Sequence, residues 1–301
     1  DYPAPLEKLN VNASIQNPSG SMTDFLVDLS RFGFELEGEA INGKMKIRDF
    51  DKLIWDGEIK GGVDLKKILA IFPMDDMSME GRIQADINTK GSYAAVEAEK
   101  YNQLETRGTM DISNFKYSST DVPQGVEVAK ATAVFTPERI NLTEFDSKIG
   151  ESPLQATGFL SNYMNYFLGE NGTLKGQLAL NSSRFNVNEW MSEEVTADTT
   201  NAELTVIELP TNIDFNMTVA ANEVLYDNLN LKDVKGNMAL KDGVLSFSDA
   251  SMKTMGGQIA LAGKYDPRDL TAPAFNFNLN ISELSIAEAF KSFNTIKAFA
   301  P

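Results

Sequence analysis

Cysteine and histidine are both absent from the 301-residue sequence. Without cysteine the chain has no disulfide framework, no thiolate nucleophile and no cysteine-ligated zinc. Without histidine it lacks the commonest general base and the commonest metal ligand. Catalytic triads of the Ser-His-Asp and Cys-His types are therefore excluded.

Basic residues are scarce as well: 27 Lys and Arg stand against 43 Asp and Glu, for a net charge of −16. Binding to nucleic acid or to anionic lipid headgroups needs a concentrated basic surface, and the sequence contains none. No apolar run reaches the ~18 residues of a membrane-spanning helix. Because the chain opens abruptly at Asp1 and shows no targeting segment, we expect it to be a fragment of a longer protein.

Alternation of apolar and polar residues is the main pattern that is present. Its clearest example is the segment 275–281, in which asparagines separate large apolar residues. Asn-Gly and Asp-Gly pairs, which favour tight hairpins, occur at 42–43, 56–57, 171–172 and 242–243. The sequence predicts an all-β protein with a few short helices, built mainly from antiparallel sheet that has one apolar and one polar face.

A short motif occurs three times, in which an alternating strand runs into a residue that caps a helical turn. The caps are Asp64, Asn186 and Ser285, spaced about a hundred residues apart. Ser92 is a further predicted cap, for a helix over 93–104, and Ser285 with Glu288 forms a capping box for a helix to about residue 297. The motif predicts one elongated β-repeat array over 1–301, with approximate repeats 1–78, 79–200 and 201–301.

Signatures of catalysis are missing from the sequence. There is no Gly-rich phosphate loop before a helix, and 43 acidic residues provide carboxylate pairs everywhere without singling one out. We therefore predict no enzymatic activity, no catalytic residue, no cofactor and no metal site.

The apolar face requires a cover, because so few helices are predicted. The sheet can fold over as a sandwich, close as a barrel, or curl into a trough filled by a ligand. In the first two cases the alternating residues are ordinary core. In the third they form a binding surface, as large exposed apolar areas usually do.

One longer stretch comprises 79–93 (MEGRIQADINTKGSY) and 108–117 (GTMDISNFKY), and another is 225–265, which ends in GGQIALAGKY. Both stretches resemble the AsmA-like envelope proteins of Gram-negative bacteria. The similarity is to the AsmA/TamB type, in a Bacteroidetes-like form, and it extends from about residue 32 to 293. The resemblance implies a taco-like groove in the periplasm, anchored to the inner membrane in the full-length protein. It also implies a role in lipid transport and outer membrane biogenesis, without catalytic residues.

We therefore expect a repeat-built sheet curled into a groove that shelters phospholipid or another acyl-chain lipid, with envelope proteins as possible partners. The candidate groove-lining residues are Leu174, Leu178, Leu180, Met238, Leu240, Ile259, Leu261, Phe275, Phe277, Leu279 and Ile281. The alternative is a structural or protein-docking scaffold module of the envelope with a closed apolar core. A more distant alternative is an envelope hydrolase that uses paired carboxylates.

Overall fold

The computed structural model describes residues 5–71, 76–120, 122–169, 171–190, 208–285 and 287–288. Strands make up 67% of these residues, and they form a mostly antiparallel sheet of sixteen strands that is not closed into a barrel. The prediction of an all-β fold with a few short helices is confirmed.

The strands are β1 (Leu6–Gln16), β2 (Leu26–Leu36), β3 (Glu39–Arg48), β4 (Ile54–Asp64), β5 (Met77–Ser92), β6 (Glu105–Ser119), β7 (Val126–Phe135), β8 (Arg139–Ile149), β9 (Ser152–Ser161), β10 (Leu174–Ser182), β11 (Phe185–Asn186), β12 (Ile213–Tyr226), β13 (Leu229–Lys241), β14 (Val244–Thr254), β15 (Gly257–Asp266) and β16 (Ala274–Ser282). The described helices are α1 (Leu65–Ile71), α2 (Tyr93–Glu97) and α3 (Tyr163–Leu168), with short 3-10 turns at Met22–Asp24, Tyr101–Gln103 and Val187–Trp190.

The strands follow chain order in the sheet, except that the two-residue β11 lies off this path and pairs in parallel with β12. Contacts divide the chain into two compact units. The first is Asp1–Ser147 with Thr157–Leu174, and the second is Lys148–Ala156 with Lys175–Pro301. A division by contacts does not test duplication in the sequence, so the three repeats 1–78, 79–200 and 201–301 stay a prediction.

One face of the first unit is apolar from strand to strand. Residues directly opposite each other on antiparallel strands project from the same face of the sheet. The pairs on this face include Phe34↔Ile41, Leu29↔Met45, Ile59↔Ile87, Ile83↔Ile112 and Met79↔Tyr117. Alternation with period 2 therefore produces one continuous apolar face over β2 to β6.

The opposite face of the first unit contains cross-strand ion pairs. The N···O distances are 3.0 Å for Lys46–Asp28, 2.7 Å for Lys44–Glu58, 2.8 Å for Lys60–Asp86 and 3.0 Å for Lys90–Asp56. The lysine of each pair is exposed, so each pair adds little stability alone. Together they fix which face is turned to water, because a register slip of one residue would carry these charges to the apolar side.

Glycines inside strands make room for large neighbours, which explains two wrong turn predictions. Gly43 lies within β3 opposite Phe32, and a Cβ there would come within 2.5 Å of the Phe32 ring. Gly57 lies within β4 opposite Met45, whose Cε would be 2.6 Å from such a Cβ. The pairs at 42–43 and 56–57 are thus strand residues, because these glycines serve close packing and not chain reversal.

Three of the described hairpin turns have left-handed backbone at both central residues. Asp242 and Gly243, at φ 51° and 73°, connect β13 to β14 as predicted. Glu37–Gly38 and Met255–Gly256 have the same positive φ pair and connect β2 to β3 and β14 to β15. Positive φ at both central residues is the signature of the type I′ turn, which matches the twist of the flanking strands. The pair at 171–172 lies in the segment between α3 and β10.

The three predicted caps each accept a backbone hydrogen bond. Oδ1 of Asp64 accepts from the amides of Lys66 and Lys67 at 3.0 and 3.3 Å. Oδ1 of Asn186 accepts from the amide of Asn188 at 3.2 Å, and Oγ of Ser285 from that of Glu288 at 3.3 Å. The capping hydrogen bond is thus present at all three sites. The predicted helix to residue 297 lies mostly outside the described residues.

The helix capped by Ser92 is shorter than predicted. Its Oγ accepts from the amide of Ala95 at 3.1 Å, but α2 ends at Glu97 instead of continuing to residue 104. Glu99 has φ 54°, and the amide of Lys100 donates to the carbonyl of Ala95 at 2.8 Å. These are the features of a Schellman motif, in which a left-handed residue stops the helix.

Few large side chains are buried in the described part of the chain. Besides six alanines, the buried apolar residues are Leu65, Leu104, Val128, Tyr163 and Met255. The ring of Tyr163 meets that of Phe135 edge-on at 6.2 Å, and its hydroxyl donates to the carbonyl of Thr136 at 3.0 Å. Burial raises the pKa of Tyr163 above its usual value. The described buried residues are thus mostly small side chains, with few large aliphatic ones among them.

Candidate functional site

The apolar face of the second unit extends across β12 to β16. Directly opposed pairs on this face are Met217↔Met238, Leu240↔Leu245, Met252↔Ile259, Ile259↔Ile281 and Leu261↔Leu279. None of these positions is charged. The antiparallel register therefore produces an uncharged apolar surface five strands wide.

Most of the predicted groove-lining residues lie together on this surface. Met238 and Leu240 are on β13, and Ile259 and Leu261 are on β15. The edge strand β16 contributes the other four, which are Phe275, Phe277, Leu279 and Ile281. The structure thus places these eight residues on one face of one unit.

The remaining three predicted residues are on β10. Leu174, Leu178 and Leu180 are half-buried and occupy alternate positions, so they share one face of this strand. Leu174 belongs to the first unit, and the other two belong to the second.

Exposure increases toward the last strand. Phe275, Phe277, Leu279 and Ile281 are 58%, 41%, 57% and 50% exposed. Their neighbours on β15, Ile259 and Leu261, are half-buried. Aromatic contacts link these strands: Tyr265 stacks on Phe275 with ring centroids 4.9 Å apart, and Phe247 lies 6.2 Å from Phe277. Side chains in this region contact one another, but much of the apolar surface of the β16 side chains remains exposed to solvent.

The sequence prediction missed β14, which lies in the middle of the surface. Leu245 and Phe247 pair with Leu240 and Met238 of β13 on one side and with β15 on the other, and Met252 pairs with Ile259 of β15. A register shift separates Phe247 from Ala250, where Asp249 has φ 52°. This bulge adds a residue and breaks the period-2 pattern, so the alternation in the sequence no longer indicates one face.

The first unit also presents exposed apolar residues that the site prediction did not include. Ile59 on β4 is 40% exposed, and Leu9, Val11 and Ile15 on β1 are 63%, 51% and 67% exposed. Leu9, Val11 and Ile15 alternate with polar residues in the sequence, so the period-2 pattern could have indicated them as residues of one face.

The polar face of the second unit has a different chemistry. Nζ of Lys253 lies 2.8 Å from Oδ2 of Asp233, and this hydrogen bond lowers the pKa of Asp233 and raises that of Lys253. The pKa of Asp269 is also lowered, by its hydrogen bond with Thr271, and Arg268 lowers that of Asp266 to about 2. A general acid would need the opposite shift.

A cavity of about 550 Å³ lies beside the turn between β14 and β15. Its lining is mostly polar and consists of Asn228, Asn230, Lys232, Lys253, Thr254, Met255, Gly256, Gly257 and Glu288. A single carboxyl group, that of Glu288, is part of this lining, so the cavity does not provide the carboxylate pair of a hydrolase. None of the predicted groove-lining residues contributes to it.

Within the described residues, no group of three or more acidic side chains is arranged to hold a metal ion. No helix in the same part of the chain has both the length and the apolar character needed to cross a membrane. Comparison with family models, with curated proteins and with solved structures gives no match to this chain.

Proposed function

We propose that this chain is a non-enzymatic, AsmA-like module that binds and transfers lipid along an apolar groove in the periplasm. Its occupant would be phospholipid or another acyl-chain lipid, and its role would be in outer-membrane assembly or integrity. The full-length protein would be anchored to the inner membrane and could contact other envelope proteins.

Support comes chiefly from one observation, the one-sided exposure of large apolar residues. In each unit one face is apolar and the other bears ion pairs, as at Lys60–Asp86 and Lys253–Asp233. A closed sandwich makes the large side chains at its centre inaccessible to water. Here Ser152 is the one described residue whose side chain is fully buried, at 1% exposure. Such a face is suited to a ligand that supplies the missing apolar layer.

The free energy of burying an acyl chain favours a continuous apolar surface along the sheet over a single closed pocket. Burying an acyl chain is worth about 0.8 kcal/mol per CH₂, or on the order of 10 kcal/mol of gross free energy for one lipid chain. Release into water would then be slow. Movement along a surface of repeated apolar strands keeps the free energy nearly level, because each strand offers the acyl chain an apolar surface like that of the strand before it.

The decisive experiment is native mass spectrometry with lipid extraction on the chain purified from a bacterial host. We expect co-purified phospholipid in stoichiometric amount. A lipid-free chain that unfolds cooperatively and whose fold is unaffected by detergent would favour the scaffold alternative with a closed core.

A matched pair of variants on β15 separates binding from folding. Leu261 is half-buried on the apolar face opposite Leu279, whereas the next residue, Ala262, is exposed on the other face. L261D places a carboxylate where an acyl chain would lie, which costs several kcal/mol without a partner. We expect L261D to lose bound lipid and A262D to keep it, with circular dichroism and melting temperature like those of the parent chain. If L261D unfolds and A262D does not, Leu261 is core and the groove proposal fails.

A further inference from the structure

The polar cavity of the second unit lies between two hairpin turns. One is the turn 227–228 between β12 and β13, and the other is the turn 255–256 between β14 and β15. Asn228 and Gly256 line the cavity from these two turns. Its volume of about 550 Å³ falls within the roughly 300–1,000 Å³ that small-molecule sites occupy.

A capped segment of the repeated motif fixes each of these turns. The side chain of Asn188 accepts from the amide of Asp227 at 2.6 Å and donates to its carbonyl at 3.3 Å. At the other turn, the amide of Ser285 donates to the carbonyl of Met255 at 2.9 Å, and Met255 is buried. The two turns are therefore held in place by the second and third copies of the motif, as expected for a largely preformed site.

Two lysines lie directly opposite each other at this cavity. Lys232 on β13 is the register partner of Lys253 on β14, and both residues line the cavity. Like charges in directly opposite positions are unfavourable in a sheet. In a chain with a net charge of −16, the pair is a local concentration of positive charge that a bound anion would neutralise.

The ammonium group of Lys232 forms no ion pair within the described part of the chain. Its register partner on β12 is Glu223, whose two carboxylate oxygens are already engaged. Oε1 accepts from Nδ2 of Asn230 at 2.6 Å, and Oε2 lies 3.2 Å from Nε of Arg184. Lys232 is therefore the cation best placed to bind an anionic group that enters the cavity.

The other polar groups of the lining indicate what the anionic group is attached to. The side-chain amide of Asn228 offers donors and an acceptor, and the carboxylate of Glu288 offers acceptors alone. A carboxylate repels a bare inorganic anion but accepts hydrogen bonds from hydroxyl groups. The lining therefore suits a ligand that carries both a phosphate group and hydroxyl groups.

We propose that this cavity binds a polyol phosphate, with its phosphate group at Lys232 and Lys253 and its hydroxyl groups at Asn228 and Glu288. A free polyol phosphate and the headgroup of a glycerophospholipid both carry this chemistry. The inference does not rest on lipid binding at the apolar face, because Lys253 follows Met252 on β14 and period 2 places the two side chains on opposite faces.

The test is isothermal titration calorimetry of the chain with glycerol 3-phosphate. We expect one site, and an affinity at least roughly tenfold lower in K232Q, because a charge-assisted hydrogen bond is lost. K264Q is the matched control: Lys264 is exposed on the polar face of β15 and is absent from the cavity lining, so this variant removes the same charge and should bind like the parent. E288Q should bind glycerol 3-phosphate more weakly and inorganic phosphate more tightly than the parent, because the negative charge that attracts hydroxyl groups also repels an anion.

Three results would overturn the inference. The parent chain could give no binding heat up to roughly 10 mM glycerol 3-phosphate, which is weaker than any specific site for such a ligand. K232Q and K264Q could lose affinity equally, which would indicate attraction by overall charge and not by a site. E288Q could bind both ligands like the parent, which would remove the hydroxyl-binding part of the cavity.

A competition experiment separates the two sources of the phosphate group. Displacement of glycerol 3-phosphate by lysophosphatidylglycerol below its micelle concentration would assign the cavity to a lipid headgroup, and simultaneous binding of the two would assign it to a free polyol phosphate. L261D should bind glycerol 3-phosphate like the parent, since Leu261 lies on the apolar face. Loss of lipid in L261D and loss of glycerol 3-phosphate in K232Q thus test the proposed function and this inference separately.

Discussion

At the scale of single residues, left-handed backbone ends helix α2 and forms the turns after β2, β13 and β14. Glu99 ends α2 with φ 54°, in a position where glycine is the usual residue. A residue with a Cβ is disfavoured there by roughly 1 kcal/mol. The helix boundary is therefore set by a strained residue that its hydrogen bonds hold in place.

We expect E99G to raise the free energy of unfolding by up to about 1 kcal/mol, because glycine adopts this conformation without the Cβ penalty. Urea denaturation followed by circular dichroism measures the change. E97G is the control, since glycine inside the last turn of α2 should lower stability by about the same amount. A loss of stability in both variants would argue against the left-handed cap.

Asp266 and Arg268 form a local ion pair next to the end of β15. Nε and Nη2 of Arg268 donate to the two carboxylate oxygens of Asp266 at 2.7 and 2.5 Å, which holds the pKa of Asp266 at about 2 instead of 3.8. A carboxyl group whose pKa is lower in the folded than in the unfolded state stabilises the folded state at pH values above its unfolded pKa. That stability is lost as the pH falls from about 3.8 towards 2.

We expect R268Q to return the pKa of Asp266 towards 3.8, as followed by the carboxyl carbon in an NMR titration. R31Q provides a control that removes an arginine from the first unit. If the pKa in R268Q stayed near 2, the shift would have to come from the backbone amide of residue 268 and from the charge of Lys264.

At the scale of elements, a cap follows a strand at each of the three repeated motifs. Asp64 accepts from two amides at the start of α1, and Leu65, the first residue of that helix, is buried. Leu65 is thereby positioned directly after the last residue of β4. The cap thus couples the end of a strand to a buried contact.

We expect D64A to lower the free energy of unfolding by about 1 kcal/mol, and D64N to lower it by much less, because the asparagine oxygen still accepts the hydrogen bonds. Thermal unfolding of both variants measures the difference. Equal losses in D64A and D64N would mean that the carboxylate charge matters and the cap does not.

At the scale of the whole molecule, a net charge of −16 coexists with an uncharged apolar face. If lipid binds through this face, its affinity depends on apolar burial and not on attraction between charges. Salt at 0.15 M screens exposed charges beyond roughly 8 Å, whereas apolar burial is not screened.

We expect the affinity for a zwitterionic lysophospholipid, measured by calorimetry below its micelle concentration, to change less than about twofold between about 0.05 and 0.5 M NaCl. The heat-capacity change on binding should be negative. A steep fall of affinity with salt would indicate that a charged headgroup is recognised instead. The first candidates for this contact are Lys232 and Lys253, which line the cavity.

The sequence by itself determined the secondary-structure class and the apolar face of several strands. Alternation assigned Ile259, Leu261 and the large residues of 275–281 to one face, because period 2 is a property of the strand itself. The caps at Asp64, Asn186 and Ser285 could also be predicted, since each hydrogen bond spans two or three residues. These features depend on contacts that are local along the chain.

Only the tertiary structure decided which residues lie opposite one another. It thereby decided which glycines make room for a neighbouring side chain and which form a turn. Gly43 and Gly57 could not be assigned to strand interiors without Phe32 and Met45 on the neighbouring strands. The place of Phe247 in the apolar face depends likewise on the bulge in β14 and on the strand order. Register and edges are set by pairing between distant segments, which leaves no periodic signal in either segment alone.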